Sequence, residues 1–247
     1  MDKNIQYIVF ADELEIDASA SQQLTFYYFG IIVPVEKIIL LEQEVQNAVA
    51  ILDKIKYHAR KQYKRPEYAQ MLTELSKIII ENHLHIVCFP FVKEWLNDPT
   101  LAVLKELKYE EAPQISIKNY RSQAWLLFIH VLNYFFSMNY PSHCKVRVLV
   151  DHDWLQINQG VEHKGEKLTH LEAIIAVKTK DFPLLTLPDH AAYLFLQLRR
   201  NLHNNNSTVK LSPANELILN EAKALFEKNG LFSLLDLTQW IDYENSV

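Results

Sequence analysis

Apolar and polar residues follow several distinct rhythms along this chain, and each rhythm predicts an element. Gln6 to Ala11 and Thr25 to Val33 are dense in Ile, Val, Phe and Tyr on either side of the polar stretch ELEIDASASQQ, and read as two strands joined in a hairpin. From Val35 the spacing turns helical. Ile38, Leu41, Val45, Val49 and Leu52 recur at helical intervals just past Pro34, which predicts a helix to about Lys56. A second helix over Tyr68 to Asn82 leads to a strand over His83 to Phe89, then to a stretch from Pro90 to Ser116 broken by Pro99 and Pro113.

Lys118 to Met138 is apolar nearly all round, the mark of a helix covered by other elements. Val146 to Val150 has the unbroken aliphatic character of a strand buried on both faces, and Leu171 to Val177 is a weaker candidate of that kind. Gly160 to Lys167 between them reads as an exposed loop. Asp189 to His203 is an amphipathic helix, the run NNNST a loop, and Ala214 to Asn229 and Leu231 to Asp242 close the chain as helices. This order fits a mixed sheet flanked by helices, so the expected fold class is α/β.

Length and composition narrow the picture further. With 247 residues, 49% of them hydrophobic, the chain can bury one large core, and a single domain over 1–247 is expected, with 212–247 as its helical C-terminal extension. The longest apolar run in the central helix, Ala124 to Ile129, is far too short to span a bilayer, and MDKNIQ lacks a signal-peptide pattern. A soluble, cytoplasmic protein without a membrane partner is expected. Cys88 and Cys144 form neither a disulfide framework nor a zinc-ligand spacing and read as packing residues.

Candidate chemistry rests on three separated aspartates, each placed where a strand is expected to end or a helix to begin: Asp12 after YIVFA, Asp151 after VRVLV, and Asp189 in LPDHAAYLF. Three carboxylates converging at one sheet edge suit Mg²⁺ or Mn²⁺, which take oxygen ligands and assist phosphodiester hydrolysis without a protein nucleophile. Strand alternation sends Asp12 and Glu13 to opposite faces, favouring Asp12, and lets Asp151 and Asp153 point together. The same residues are also at home as turn formers after strands, and Asp189 as an N-cap behind Pro188.

These residues bring a family into view. The chain resembles the bacterial domain-of-unknown-function family 3800, a group with a ribonuclease-H-like fold that includes nucleases. Its opening strand ending in Asp-Glu-Ser-Gly and its strand leading into Val-Pro and a long helix match YIVFADEL and FYYFGIIVPVEKI. Its Glu-x-His-Ala segment, aspartate-ended strand and late Gln-Leu-Ala-Asp-Leu motif match KYHA, VRVLVDHD and TLPDHAAYLFLQLRR. Order and spacing agree over most of residues 6 to 200. Leu14 and Glu15 replace the Ser-Gly, Lys56 replaces the glutamate before His58, and Thr186 and Pro188 replace the glutamine and alanine.

The resemblance implies a ribonuclease-H-like mixed sheet flanked by helices, with Asp12, Asp151 and Asp189 as metal ligands and Glu13 or Asp153 as a fourth or outer ligand. His58 would stand beside the scissile phosphate as proton donor or phosphate contact. The expected activity is metal-dependent nuclease or phosphodiesterase chemistry. The altered positions leave a second expectation open, a non-catalytic binding or regulatory subunit of a mobile-element or defence system.

Net charge is −5, which argues against a uniformly basic surface, yet KIKYHARKQYKR over residues 54–65 holds six Lys/Arg and no acid. Lys56, Arg60, Lys61, Lys64 and Arg65, interleaved with Tyr57 and Tyr63, form the expected nucleic-acid contact; a solvated helix face accounts for the same pattern equally well. His83 and His85 share an expected strand face, but nothing nearby completes a zinc site. GVEHKGEK has Glu166 where a phosphate-binding loop needs lysine. No GxSxG elbow or dinucleotide GxGxxG occurs.

Overall fold

The computed structural model describes residues 5–16, 25–51, 66–92, 120–151, 162–163, 168–177, 181–203 and 213–244. Strands β1 (Ile5–Ile16) and β2 (Thr25–Pro34) lead through a 3-10 turn at Val35–Lys37 into helix α1 (Ile38–Ala50). Helix α2 (Pro66–Glu81), β3 (His85–Val92), α3 (Tyr120–Asn139), β4 (Lys145–Asp151), β5 (Glu162–His163) and β6 (Leu171–Val177) follow. The chain then forms α4 (Thr186–His203), α5 (Pro213–Lys223), β7 (Phe232–Leu234) and α6 (Leu237–Glu244).

The strands make one sheet in the order β5-β6-β4-β1-β2-β3-β7. β1, β2 and β3 are antiparallel neighbours, whereas β4 runs parallel to β1 and β6 parallel to β4. β7 is parallel to β3, and β5 antiparallel to β6. The protein is therefore α/β, a mixed sheet with helices on its faces.

Alternation along the central strands divides the core in two. Ile8 and Phe10 of β1, Phe29 and Ile31 of β2 and Leu149 of β4 pack with α1, α2, α4 and α5. Val9, Ala11, Tyr28, Val148 and Val150 face the other way, onto Trp125, Phe128 and Leu132 of α3. Burial on both faces is why these strands read as near-continuous apolar runs. Gly30, opposite Ala11 in β2, allows close packing: a Cβ there would lie 2.8 Å from both Val9 Cγ1 and Val87 Cγ2. On the same side, Asn133 Oδ1 of α3 accepts the backbone N–H groups of His170 (2.9 Å) and Leu171 (3.3 Å), tying the helix to the start of β6.

Several expectations are corrected. His83 adopts φ 53° in the turn before β3, so it does not share a strand face with His85. The left-handed turn lets His83 N–H reach the Ile80 carbonyl at 3.1 Å. The loop expected around Gly160 holds the short strand β5, paired with Ile174 and Ile175. The C-terminal region is not wholly helical, because Phe232–Leu234 adds β7 to the sheet edge and the last helix starts at Leu237. β7 is anchored by His85 Nε2 and Ser233 Oγ, 2.9 Å apart. Cys88 and Cys144 are buried and unbridged. Among the described residues no helix is long and apolar enough to cross a membrane.

Candidate functional site

The parallel pairing of β1 with β4 runs in register to Ala11 and Val150, so Asp12 and Asp151 each stand one residue beyond that last pair. Asp151 ends β4 while still paired with Val177 of β6. Asp12 departs from expectation. Its own strand does not end there but continues to Ile16, held by β2 through pairs such as Asp12 with Phe29 and Glu13 with Tyr28. Asp12 thus occupies the level at which its parallel neighbour stops. Because the strand continues, Asp12 keeps the parity of Phe10 and Leu14, on the α4 side, and the side chain of its neighbour Glu13 still reaches the Asp12 carboxyl.

Asp189 arrives from the far end of the chain. A 3-10 turn at Pro183–Leu185 runs straight into α4, which starts at Thr186, so Asp189 lies inside the first helical turn rather than capping it. A carboxylate in a first turn is favoured by the helix dipole. α4 packs across β1 and β2. Arg199 helps seat it, its guanidinium 5.3 Å from the centre of the Tyr27 ring.

The electrostatics register this approach. The Asp12 carboxyl is held well above the usual carboxylate range, first by burial, then by the charge of Glu13, the charge of Asp189 and a side-chain hydrogen bond with Glu13. The Glu13 backbone N–H, which donates to Asp12 Oδ1 at 2.9 Å, opposes the shift. Glu13 and Asp189 therefore both lie within electrostatic reach of the Asp12 carboxyl, where a proton or a cation would relieve the repulsion. The donors are all oxygen, which suits a hard divalent cation. Among the described residues, no group of three or more His, Cys, Asp or Glu is gathered closely enough to hold a metal ion. Asp151 is placed by its backbone register alone.

Asp153, His58, Lys56, Arg60, Lys61, Lys64 and Arg65 lie outside the described residues. A cleft between α1 and α2, lined in part by Glu44, Glu74, Lys77 and Glu81, is separate from these aspartates.

Two residues of interest are absent from the sequence reading. His190, next to Asp189, is fully buried, and its Nε2 lies 3.1 Å from Oγ of the buried Ser76 in α2. Burial pushes the His190 imidazole down to about 3. A signal was available: Ser76 sits in the apolar stripe of Leu72, Leu75 and Ile79, and His190 just ahead of Ala191 and Leu194. A polar side chain on an apolar face needs a partner.

No protein-family model matches the chain, and no match is found among curated proteins or solved structures.

Proposed function

We propose that the protein is a metal-dependent phosphodiester hydrolase, a nuclease on a ribonuclease-H-like scaffold akin to family 3800, acting on nucleic acid in the cytoplasm. The observation that supports this reading most is the approach of Asp189 to Asp12, two acids remote in sequence, with Asp151 one residue past the Ala11–Val150 pair. Like charges brought together where water is partly excluded each raise the cost of the other, so such an arrangement calls for a reason. A mixed sheet flanked by helices agrees with the scaffold.

Asp12, Asp189 and Asp151 would hold the cation, with Glu13 or Asp153 nearby. When bound, Mg²⁺ or Mn²⁺ would supply an activated water and neutralise charge on the leaving oxygen. Asp12, which holds its proton more readily than an ordinary aspartate, would have to give it up to serve as a ligand. Asp189 contributes its charge from the positive end of the α4 dipole, which lowers the cost of placing it beside Asp12. His58 donates a proton or contacts the phosphate, and Lys56, Arg60, Lys61, Lys64 and Arg65 bind the backbone phosphates.

The test is cleavage of RNA and DNA panels with Mg²⁺ or Mn²⁺ by wild type, Asp12→Asn and Asp151→Asn. Cleavage by wild type and its loss in both variants is expected; equal cleavage by all three ends the proposal. One observation favours the alternative, a non-catalytic binding or regulatory subunit of a mobile-element or defence system. Leu14 and Glu15 continue β1 as regular strand where a Ser-Gly turn would let a ligand approach the backbone. Calorimetric titration with Mn²⁺ separates the two readings, since only the hydrolase needs a site that binds it.

A further inference from the structure

We propose that the buried contact between Ser76 and His190 positions Asp189, pinning the first turn of α4 to α2 and so fixing where the Asp189 carboxylate stands relative to β1. The inference rests on the metal-dependent reading of the Asp12 site. His190 follows Asp189 directly, so any rotation or slide of this turn moves both residues together. Around them the interface between α2 and α4 is apolar, with Leu72, Leu75 and Ile79 on one side and Leu187, Ala191 and Leu194 on the other. Apolar contact is non-directional and tolerates small slides, whereas a hydrogen bond weakens steeply when its angle or length departs from the optimum.

The 3.1 Å Ser76–His190 bond is therefore a directional element in this interface. Its importance is heightened by His190 Nδ1, which is buried without a hydrogen-bond partner among the described residues. Loss of the Ser76 hydroxyl would leave both ring nitrogens unsatisfied and free the ring to seek another arrangement, carrying Asp189 with it. Further along the two helices, the Tyr68 and Tyr193 rings meet edge to face with centroids 6.1 Å apart. Ser76 and His190 act through Asp189 and so are positioning residues.

A matched control lies on the same helix. Thr73 Oγ1 donates to Glu221 Oε1 at 3.2 Å, tying α2 to α5 rather than to α4. The experiment measures Mn²⁺ affinity by calorimetry and melting temperature for the full chain as wild type, Ser76→Ala, Ser76→Cys and Thr73→Ala. Cysteine keeps the shape of serine but is a weak hydrogen-bond partner. Both Ser76 variants should lose affinity about tenfold or more, as expected when a group orienting a ligand is removed. Thr73→Ala should lower the melting temperature with affinity unchanged. Wild-type affinity in both Ser76 variants, or an equal loss in Thr73→Ala, overturns the positioning role alone. A wild type that takes up no Mn²⁺ overturns the metal-dependent reading and this inference with it.

Discussion

Asp189, in the first turn of α4, stands close enough to Asp12 of β1 that its charge helps keep the Asp12 carboxyl protonated. Burial and Glu13 push in the same direction, and the Glu13 amide only partly offsets them. The arrangement costs stability, which makes it accessible to measurement.

The first prediction concerns this cost. A carboxyl whose folded-state value is raised binds more protons in the native than in the unfolded chain, so stability falls as pH rises from its ordinary value through the raised one. Each pH unit within that window costs about 1.4 kcal/mol. Asp12→Asn removes the charge, so in the presence of chelator the variant should gain on wild type as pH is raised from about 4 to about 8. Urea melts at both ends of that range check it; a constant gap would show that Asp12 is not strained by its neighbours.

His190 behaves in the opposite sense. Its folded-state value lies at about 3, below the ordinary 6.5, so the unfolded chain takes up a proton that the native protein refuses. Its contribution is fully present above the ordinary value and is lost as pH falls from there towards the folded value, at about 1.4 kcal/mol per unit. His190→Gln should flatten this acid-side slope. Stability measured by denaturant at several acidic pH values would reveal it, and an unaltered slope would contradict the burial of the imidazole.

Cation binding should appear as thermal stabilisation. If the proposed site takes Mn²⁺, a hundredfold excess over its dissociation constant should add about 2.7 kcal/mol to wild type. Asp189→Asn should lose most of that gain while melting normally without metal. A variant stabilised by Mn²⁺ as strongly as wild type would remove Asp189 from the ligand set.

The sheet offers a test independent of the site. A methyl group on Gly30 would meet Val9 and Val87 at 2.8 Å, with Phe128 above at 3.6 Å. Gly30→Ala should cost about 1–3 kcal/mol, the usual penalty for overpacking. Adding Val87→Ala should recover part of the loss if the contact is its cause; melting curves of the single and double variants decide.

How much was legible in the chain differs by element. Long periodic segments such as Tyr68 to Asn82, found as a helix over Pro66–Glu81, and aliphatic runs such as Val146 to Val150 declared themselves, because their apolar positions match a single period. β7 did not. Its three residues lie within a stretch whose spacing reads as helix, and its pairing with Ile86 to Cys88 depends on residues far away in the chain. The course of β1 past Asp12 was hidden for a similar reason: polar residues signal a strand end locally, while β2 supplies pairing partners out to Thr25.

The sequence by itself determined the α/β class, the main apolar strands and helices, and the identity of the candidate acids, since these depend on local composition and periodicity. Tertiary structure alone decided that Asp189 comes within electrostatic reach of Asp12, that Asp151 stands one residue past a shared register pair, and that Ser76 bonds to His190. Those relationships join residues more than a hundred positions apart, and no local pattern encodes a distance that only packing of the helices on the sheet can set.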